Sequence, residues 1–490
     1  MALSVHLLRP WQKLLVGSTA SVMTSKWSRC SSVLSGNRVR MVEKSPNSTD
    51  PETSQGVCTI HGKQQQQATP ISRAVFPPQA VFKRRFSALC GSSEVQEGAL
   101  IMEKVCLNEA ARMVEVEWSG GGVSRFPYVW LRDNCQCPQC FNPDSRSRLV
   151  LMSDLDVNVS PVDVTEVSQA KGSSLSVEWP DGHKSRYDWH WLKERCFSTQ
   201  ALSERQKDWQ RKTQLWGAEL AHNMPKADFP ALLTDDRALY DFLVRLDSVG
   251  LVLVQNVPCD VGQVEKLANR VAFLKHTCSG KEFVVMNKTK PGSDVAYTSV
   301  KLGLHTDLNS YTYKPGVQML HCIEQTTGEG GDNSLVDGFN AASQLKEENP
   351  DAFRILTTVK VNFRHVGMDY HKYFHLKRRN VISLNDQEDI QSISYSDQSR
   401  TSILDLPADL VQPFYDALKA FNTIMCLPRN CLSLKMAAGE LIVFDNNRTL
   451  HGRSAYSPDS GTRHLQGGYM DWDEIYSRMR AIKADLGIEA

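Results

Sequence analysis

The sequence has almost no excess charge, few cysteines for its length and no long apolar run. Its 56 lysines and arginines balance 55 aspartates and glutamates over 490 residues, which argues against a protein that binds nucleic acid through bulk positive charge. The 13 cysteines are too sparse for a disulfide scaffold. No segment reaches the roughly 20 apolar residues of a membrane-spanning helix. We therefore predict an intracellular protein of several globular domains that binds neither nucleic acid nor membranes.

Acidic residues are also missing from one end of the chain. Residues 1–42 contain no aspartate or glutamate, but six basic residues and eight serines. This composition, with apolar residues interspersed, predicts a mitochondrial transit peptide. The alternative is a cytoplasmic protein with a tail that lacks acids by accident. Residues 43–98 are rich in Ser, Thr, Pro and Gln, and we predict that they form a disordered linker.

Two short hairpin patterns follow the linker. Apolar and polar residues alternate on both sides of Gly120–Gly122 and again on both sides of Pro180–Gly182. The pattern predicts a small β-rich domain over residues 99–197. A charged stretch, SERQKDWQRKTQLWGAEL, predicts a connecting helical segment within residues 198–225.

Residues 226–490 carry many short apolar runs and a few helical patterns. We predict an amphipathic helix that ends at Gly250, the buried strand LVLVQNVP, a helix capped by Asp260, and one continuous helix over AASQLKEENPDAFRIL. The remaining runs are short and are separated by glycine-rich turns. The expected fold is mainly β with flanking helices, in a sandwich or barrel of antiparallel strands.

A possible iron site lies in this second part. His305 and Asp307 are separated by one residue, and His451 follows 146 positions after His305. Two imidazoles and one carboxylate form the facial triad of non-haem Fe(II) oxygenases. Alternation along a strand would place His305 and Asp307 on the same face. The pattern alone is weak, because a histidine and an aspartate on a surface loop would read the same way.

A basic residue strengthens this interpretation. Arg463 follows His451 by 12 residues, across what reads as a turn between neighbouring strands. A guanidinium group binds carboxylates through two parallel hydrogen bonds, as 2-oxoglutarate requires. The order of the four residues on apolar strands is much more specific than any one of them.

Three cysteines suggest a second metal site. Cys135, Cys137 and Cys140 occupy six consecutive positions, a spacing that suits one tetrahedral zinc ion. His183, on the turn of the adjacent hairpin, is the candidate fourth ligand. Four protein ligands would close the site, so we predict a structural zinc ion. The alternative is that the cysteines are buried packing residues.

These motifs resemble one known family over residues 100–490. The segments VWLRDNCQCPQC, WPDGH, HTD, GVQMLHCI, VDGFN, FDNNRTLHGR and RHLQGGYMDWD are similar to those of the γ-butyrobetaine dioxygenase and trimethyllysine dioxygenase family, and nearer to its butyrobetaine branch. The resemblance implies a double-stranded β-helix, or jelly-roll, catalytic domain preceded by a small zinc-binding domain, usually in a homodimer.

The resemblance also implies an activity. The family uses Fe(II), 2-oxoglutarate, O2 and ascorbate to hydroxylate a trimethylammonium substrate, and the butyrobetaine branch forms L-carnitine. The resemblance makes His305, Asp307 and His451 the iron ligands and Arg463 the 2-oxoglutarate anchor. It makes the three cysteines and His183 the zinc ligands.

The substrate pocket departs from the family pattern. The resemblance places Phe283, Asp294, Tyr297 and Tyr469 around the substrate, where aromatic faces would surround the trimethylammonium group. The family's Tyr-Gly-x-x-Trp segment here begins at Ser279 and ends at Phe283, so one tyrosine and one tryptophan are lost. Four further positions also differ: Asp294 replaces an Asn of the butyrobetaine branch, Ser396-Asp397 an Asn-Asn pair, and Asn447 a Trp.

Three functions remain open from the sequence. The first is hydroxylation of γ-butyrobetaine to L-carnitine. The second is the same chemistry on trimethyllysine or another trimethylammonium or amino-acid substrate, which Asp294 would favour by pairing with an amino group. The third is a non-catalytic paralogue that serves as a binding protein, which the intact metal ligands argue against.

Overall fold

A computed structural model describes residues 101–169, 172–286, 296 and 298–488. The predicted transit peptide and linker lie outside these residues. The first described part forms small antiparallel sheets: β1, β2 and β3 pair in order, β4 pairs with β5, and β6, β7 and β8 pair in order. Its strands are β1 (Met102–Asn108), β2 (Met113–Trp118), β3 (Val123–Pro127), β4 (Phe141–Asn142), β5 (Ser147–Arg148), β6 (Asp163–Gln169), β7 (Gly172–Glu178) and β8 (Lys184–Asp188). Its helices are α1 (Tyr128–Asp133) and α2 (Trp189–Glu194).

This first part has a hydrophobic core of its own. Each predicted hairpin is present, since β2 pairs with β3 and β7 pairs with β8. Alternate residues of these strands, such as Val114 and Val116, point inward and are fully buried. Trp179 and Tyr187 fill the same core. The turn between β7 and β8 carries His183, as predicted.

The larger part contains two sheets, two separate hairpins and most of the helices. Its strands are β9 (Lys226–Asp228), β10 (Leu251–Gln255), β11 (Glu282–Met286), β12 (Leu302–His305), β13 (Val317–Glu324), β14 (Asn333–Asp337), β15 (Lys360–Met368), β16 (Lys372–Asn380), β17 (Ile382–Leu384), β18 (Ile390–Ile393), β19 (Cys431–Leu434), β20 (Glu440–Asp445), β21 (Thr449–Arg453) and β22 (His464–Met470). Its helices are α3 (Thr199–Trp209), α4 (Phe229–Thr234), α5 (Asp236–Val249), α6 (Gln263–Val271), α7 (Gly338–Glu348), α8 (Pro350–Thr358), α9 (Ala408–Met425) and α10 (Trp472–Leu486).

The two sheets form the jelly roll that the sequence predicted. A six-stranded sheet has the order β11-β22-β13-β20-β10-β9, and a four-stranded sheet has the order β12-β21-β14-β19. Alternation assigns the two faces of the larger sheet. In β10, Leu251 and Leu253 pack toward the smaller sheet, while Val252 and Val254 pack against the helices. The strand β10 is therefore buried on both faces and reads as a continuous apolar run.

Helix boundaries differ from three predictions. Gly262, with a φ of 86°, precedes α6 and caps it without a side-chain hydrogen bond, so the predicted cap at Asp260 is wrong. The continuous helix over AASQLKEENPDAFRIL is also wrong. Asn349 separates α7 from α8 and its side chain caps the second helix, because Pro350 favours the first position of a new helix. The charged connecting stretch is an α-helix only as far as Trp209, and a short 3-10 helix follows at Ala218–His222.

Two other predictions are confirmed, since α5 ends at Gly250 in the left-handed conformation and the buried strand β10 follows it. Among the described residues, no helix combines the length and apolar character needed to cross a membrane.

Candidate active site

The three predicted iron ligands lie together at the smaller sheet. β12 and β21 are neighbours, and their antiparallel register places His305 directly opposite His451. The strand ends at His305, so the prediction that Asp307 shares the strand face is wrong. A turn brings Asp307 back to the histidines instead, and Leu308 after it has a φ of 55°, in the left-handed region. Such backbone strain is characteristic of functional sites.

The distances between these side chains suit one metal ion. Nε2 of His305 lies 3.1 Å from Oδ1 of Asp307, and Nε2 of His451 lies 3.8 Å from the same oxygen. One ligand atom from each of the three residues can be chosen so that all three atoms lie within 4.8 Å of one another. Octahedral ligands at about 2.1 Å from a metal stand roughly 3 Å apart, so this cluster needs only a small contraction. Two imidazoles and a carboxylate are also the donor set of non-haem Fe(II) sites.

Neighbouring groups orient two of the candidate ligands. Nδ1 of His305 lies 2.9 Å from the carbonyl oxygen of Gly303. When Nδ1 carries the proton and donates it to this oxygen, Nε2 keeps a lone pair that can bind a metal ion. The hydroxyl of Tyr469 donates a hydrogen bond of 2.7 Å to Oδ2 of Asp307. Asn446 accepts from the Asp307 amide and donates to its carbonyl oxygen, at 2.7 and 3.1 Å. The turn is therefore held on both sides.

The protonation states also suit metal binding. Burial, together with the nearby His305, lowers the pKa of His451 to about 3, so its imidazole is neutral at physiological pH. Burial alone would raise the pKa of Asp307, but the His451 and His305 side chains and the Tyr469 hydroxyl hold it below its usual range. A carboxylate anion at Asp307 and a neutral imidazole at His451 are the forms in which these groups ligate a divalent cation.

Arg463 lines the same cavity and carries a poorly compensated charge. It is only 3% exposed, and its side chain donates to a neutral acceptor, Oδ1 of Asn333, at 3.5 Å. Within the described residues its Nε has no hydrogen-bond partner. Burial and the nearby Arg453 lower the pKa of Arg463 to about 10. A buried guanidinium group without a carboxylate partner fits the anchor of a carboxylate ligand such as 2-oxoglutarate.

The predicted relation of Arg463 to His451 is wrong in one respect. Their strands are not neighbours, because β21 belongs to the four-stranded sheet and β22, which Arg463 immediately precedes, belongs to the six-stranded sheet. The two residues meet because both sheets contribute to one cavity. This arrangement places the candidate metal ligands on the smaller sheet and the candidate carboxylate anchor on the larger one.

The cavity has a volume of about 390 Å³ and extends beyond the metal ligands. Phe283 and Tyr469 line it as a stacked pair, with ring centroids 5.2 Å apart. Gly467, opposite Phe283 on the paired strand, makes room for this ring, since a Cβ there would lie 2.3 Å from it. Asp294 and Tyr297, the other two predicted substrate-binding residues, lie outside the described part of the chain.

The four candidate zinc ligands also converge. Nε2 of His183 lies 3.2, 3.6 and 3.5 Å from the sulfur atoms of Cys135, Cys137 and Cys140. Tetrahedral bonds of about 2.3 Å to sulfur and 2.1 Å to nitrogen would separate these atoms by roughly 3.6 Å. Burial raises the pKa of Cys135 to about 11, so a thiolate at this position requires a compensating cation. The spacing and the chemistry both fit zinc.

Sequence reasoning missed three residues of this cavity and its surroundings. Arg453 lies two positions after His451 on the same strand, and alternation along β21 was enough to place it on the same face. Asn446 holds the Asp307 turn from 139 residues away, and Asp369 lines the cavity from a hairpin turn. No short-range pattern could have identified the last two.

Known proteins resemble both parts of the chain. Residues 105–193 match the gamma-butyrobetaine hydroxylase-like N-terminal family, and residues 208–469, more than half the chain, match the taurine catabolism dioxygenase TauD/TfdA family. Gamma-butyrobetaine dioxygenase of Homo sapiens is 38% identical over 394 residues, covering 79% of this chain and 98% of that protein. The chain belongs to the γ-butyrobetaine dioxygenase/trimethyllysine dioxygenase family.

More distant relatives lie in both branches of this family of dioxygenases. Gamma-butyrobetaine dioxygenase of Pseudomonas sp. (strain AK-1) is 35% identical, over 76% of this chain and 94% of that protein. Mitochondrial trimethyllysine dioxygenase of Mus musculus is 31% identical, over 75% of this chain and 85% of that protein. The present member of the family is therefore a dioxygenase, and both an N-terminal and a catalytic family region are matched in its chain.

Proposed function

We propose that this protein is an Fe(II)- and 2-oxoglutarate-dependent dioxygenase that hydroxylates γ-butyrobetaine to L-carnitine. The main observation is that one cavity contains His305, Asp307, His451 and the buried cation Arg463. The 38% identity to gamma-butyrobetaine dioxygenase over nearly its whole length supports the choice of substrate.

In this proposal His305, Asp307 and His451 hold Fe(II), and Arg463 binds the distal carboxylate of 2-oxoglutarate. Bound there, iron and 2-oxoglutarate supply the oxidising chemistry that converts a C–H bond to C–OH with O2, and ascorbate keeps the iron reduced. The chain itself provides orientation. Gly303 fixes the ring of His305, and Tyr469 fixes one carboxylate oxygen of Asp307.

The substrate lies, in this proposal, in the part of the cavity lined by Phe283 and Tyr469. Their stacked rings offer π-faces to a cation, which is the interaction open to an ammonium group without N–H bonds. Asp294 and Tyr297 remain proposed substrate contacts from the family resemblance. Holding the target carbon in a defined orientation is the main contribution of such walls to the rate.

Three further proposals concern the whole protein. Cys135, Cys137, Cys140 and His183 hold a structural zinc ion, which their convergence around one point supports. The acid-free residues 1–42 form a mitochondrial transit peptide, and the trimethyllysine dioxygenase relatives are named mitochondrial. The third proposal is that the protein forms a homodimer, and it rests on the family resemblance alone.

The activity test uses iron-loaded protein with 2-oxoglutarate, γ-butyrobetaine and O2. We expect one succinate for each hydroxylated product, measured together by mass spectrometry. His305→Ala should abolish product and bound iron, whereas His222→Ala, at an exposed histidine away from the cavity, should retain both. Succinate without hydroxylated product, or full activity of His305→Ala, would contradict the proposal.

A second candidate is hydroxylation of trimethyllysine or another trimethylammonium or amino-acid substrate. The trimethyllysine dioxygenase relatives and Asp294 favour it. Parallel assays with trimethyllysine separate the two functions, because kcat/KM compares the two substrates directly. A higher kcat/KM for trimethyllysine would replace the first proposal by the second.

A further inference from the structure

The cavity contains a carboxylate besides the candidate metal ligand. Asp369 lies in the turn between β15 and β16 and lines the cavity together with Ser279. The hydroxyl of Ser279 donates a hydrogen bond of 3.3 Å to Oδ2 of Asp369, and the hydroxyl of Tyr373 donates another of 3.3 Å to the same oxygen. The wall therefore presents a negative charge whose position is set by two hydroxyl groups.

Backbone contacts hold this wall in place. The amide of Tyr370 donates to the carbonyl oxygen of Cys278 at 3.0 Å, which joins the hairpin turn to the segment that carries Ser279. The amide of Cys278 donates to the hydroxyl of Tyr311 at 2.8 Å, which holds this segment from a second side. Asp369 and Ser279 are 90 residues apart in the chain, yet two hydrogen bonds between adjacent residues of the two segments hold them side by side.

Aromatic surface in the cavity is limited. Among the described lining residues, Phe283 and Tyr469 are the only phenylalanine or tyrosine side chains, and none is a tryptophan. Position 279 contributes a hydroxyl group where an aromatic residue would contribute a π-face. A quaternary ammonium group has no N–H to donate, so it is bound mainly through π-faces. An ammonium group that carries an N–H bond can instead donate a hydrogen bond to a carboxylate or a hydroxyl group.

We infer that Asp369 anchors the ammonium group of the substrate and favours one that carries at least one N–H bond. This inference rests on the proposed function. It adds that the site accepts γ-butyrobetaine but binds an analogue with an N–H bond on its ammonium group more tightly. Asp369 is exposed, so solvent screens its simple Coulomb attraction, which acts on both kinds of ammonium. A charge-assisted N–H···O hydrogen bond is short-ranged and available to the N–H form alone, so it decides the selectivity.

The test compares binding of 4-trimethylammoniobutanoate, which is γ-butyrobetaine, with binding of 4-dimethylaminobutanoate, protonated at neutral pH. Titration calorimetry under anaerobic conditions, on full-length protein loaded with Fe(II) and 2-oxoglutarate, measures affinity without turnover. We expect the wild type to bind the dimethyl compound more tightly. Asp369→Asn should weaken binding of the dimethyl compound about tenfold and of the trimethyl compound no more than about threefold.

Two variants and one check complete the experiment. Ser279→Ala removes one hydroxyl donor to Asp369 and should reduce the preference for the dimethyl compound by a smaller factor. Asp351→Asn removes an exposed carboxylate of α8, remote from the cavity lining, and should leave both affinities unchanged. Unchanged affinity for 2-oxoglutarate shows that each variant is folded.

Several results would overturn the inference. The wild type could bind the trimethyl compound more tightly, or bind neither compound. Asp369→Asn could also lose the same factor of affinity for both compounds. Failure of the proposed function gives a different result. In that case the binding preference and its loss in Asp369→Asn persist, but neither compound is hydroxylated when O2 is admitted.

Discussion

Replacing Arg463 by methionine should stabilise the protein and at the same time abolish 2-oxoglutarate binding. The fall of the Arg463 pKa from its ordinary value to about 10 corresponds to about 3 kcal/mol against the charged form in the folded state. Since the guanidinium group stays charged at neutral pH, this penalty is fully present below pH 10 and disappears only above the ordinary pKa. Methionine fills similar space without the charge, so we expect the variant to gain roughly 1–3 kcal/mol of unfolding free energy without ligand.

Arg448 provides a matched control, because it is a fully buried arginine with a partner. It donates to both carboxylate oxygens of Asp337, at 2.9 and 2.7 Å, and both side chains are 0% exposed. Arg448→Met leaves that aspartate buried without a cationic partner, and should lose roughly 3–5 kcal/mol of unfolding free energy. The two substitutions are chemically identical. Changes of opposite sign in the free energy of unfolding would therefore show that Arg463 is kept for ligand binding and Arg448 for stability.

The measurement is urea denaturation with and without 2-oxoglutarate. At a ligand concentration a hundred times Kd, the wild type should gain about 2.7 kcal/mol, and Arg463→Met should gain nothing. Equal m-values would show that the comparison reflects stability and not a change in the unfolding transition. Destabilisation of Arg463→Met by as much as Arg448→Met, or an undiminished response to 2-oxoglutarate, would refute the reasoning.

Three other substitutions test neighbouring parts of the structure. Tyr469→Phe keeps the stacked ring but removes the hydrogen bond to the candidate ligand carboxylate, so iron affinity should fall about tenfold in a metal-binding titration, and an unchanged value would argue against this role. Cys137→Ser should lose about one zinc ion per chain by elemental analysis, whereas Cys259→Ser, at an exposed cysteine, should lose none; equal zinc contents would contradict the site. Gly467→Ala places a methyl group against the ring of Phe283, and should lower the unfolding midpoint and displace the ring pair; a wild-type midpoint and substrate affinity would show that the ring moves freely.

Local patterns predicted the parts of the fold that depend on local chemistry. The two hairpins, the helix that ends at Gly250 and the buried strand after it all follow from turn residues and apolar periodicity over a few positions. Errors occurred where one residue decided a boundary. Pro350 begins a new helix within a continuous helical pattern, and Gly262 caps α6 in place of the expected aspartate.

For the candidate site, the sequence alone determined which chemistry is available. Two histidines and an aspartate, a trailing arginine, and three clustered cysteines with a histidine are donor sets that can be recognised by residue type and order. Ligand chemistry depends on the donor atoms, and these are written directly in the sequence. The family resemblance rests on the same residues.

How these groups act together depends on the packing of elements that are distant in the sequence. Strand register places His451 opposite His305, and the packing of two sheets brings Arg463 to the same cavity. Burial then shifts the pKa values, since the same arginine would keep its ordinary pKa in water. Asp369 meets Ser279 across 90 residues because a hairpin turn docks on a distant loop. Such contacts arise from the packing of separate elements, and no local pattern in the sequence encodes them.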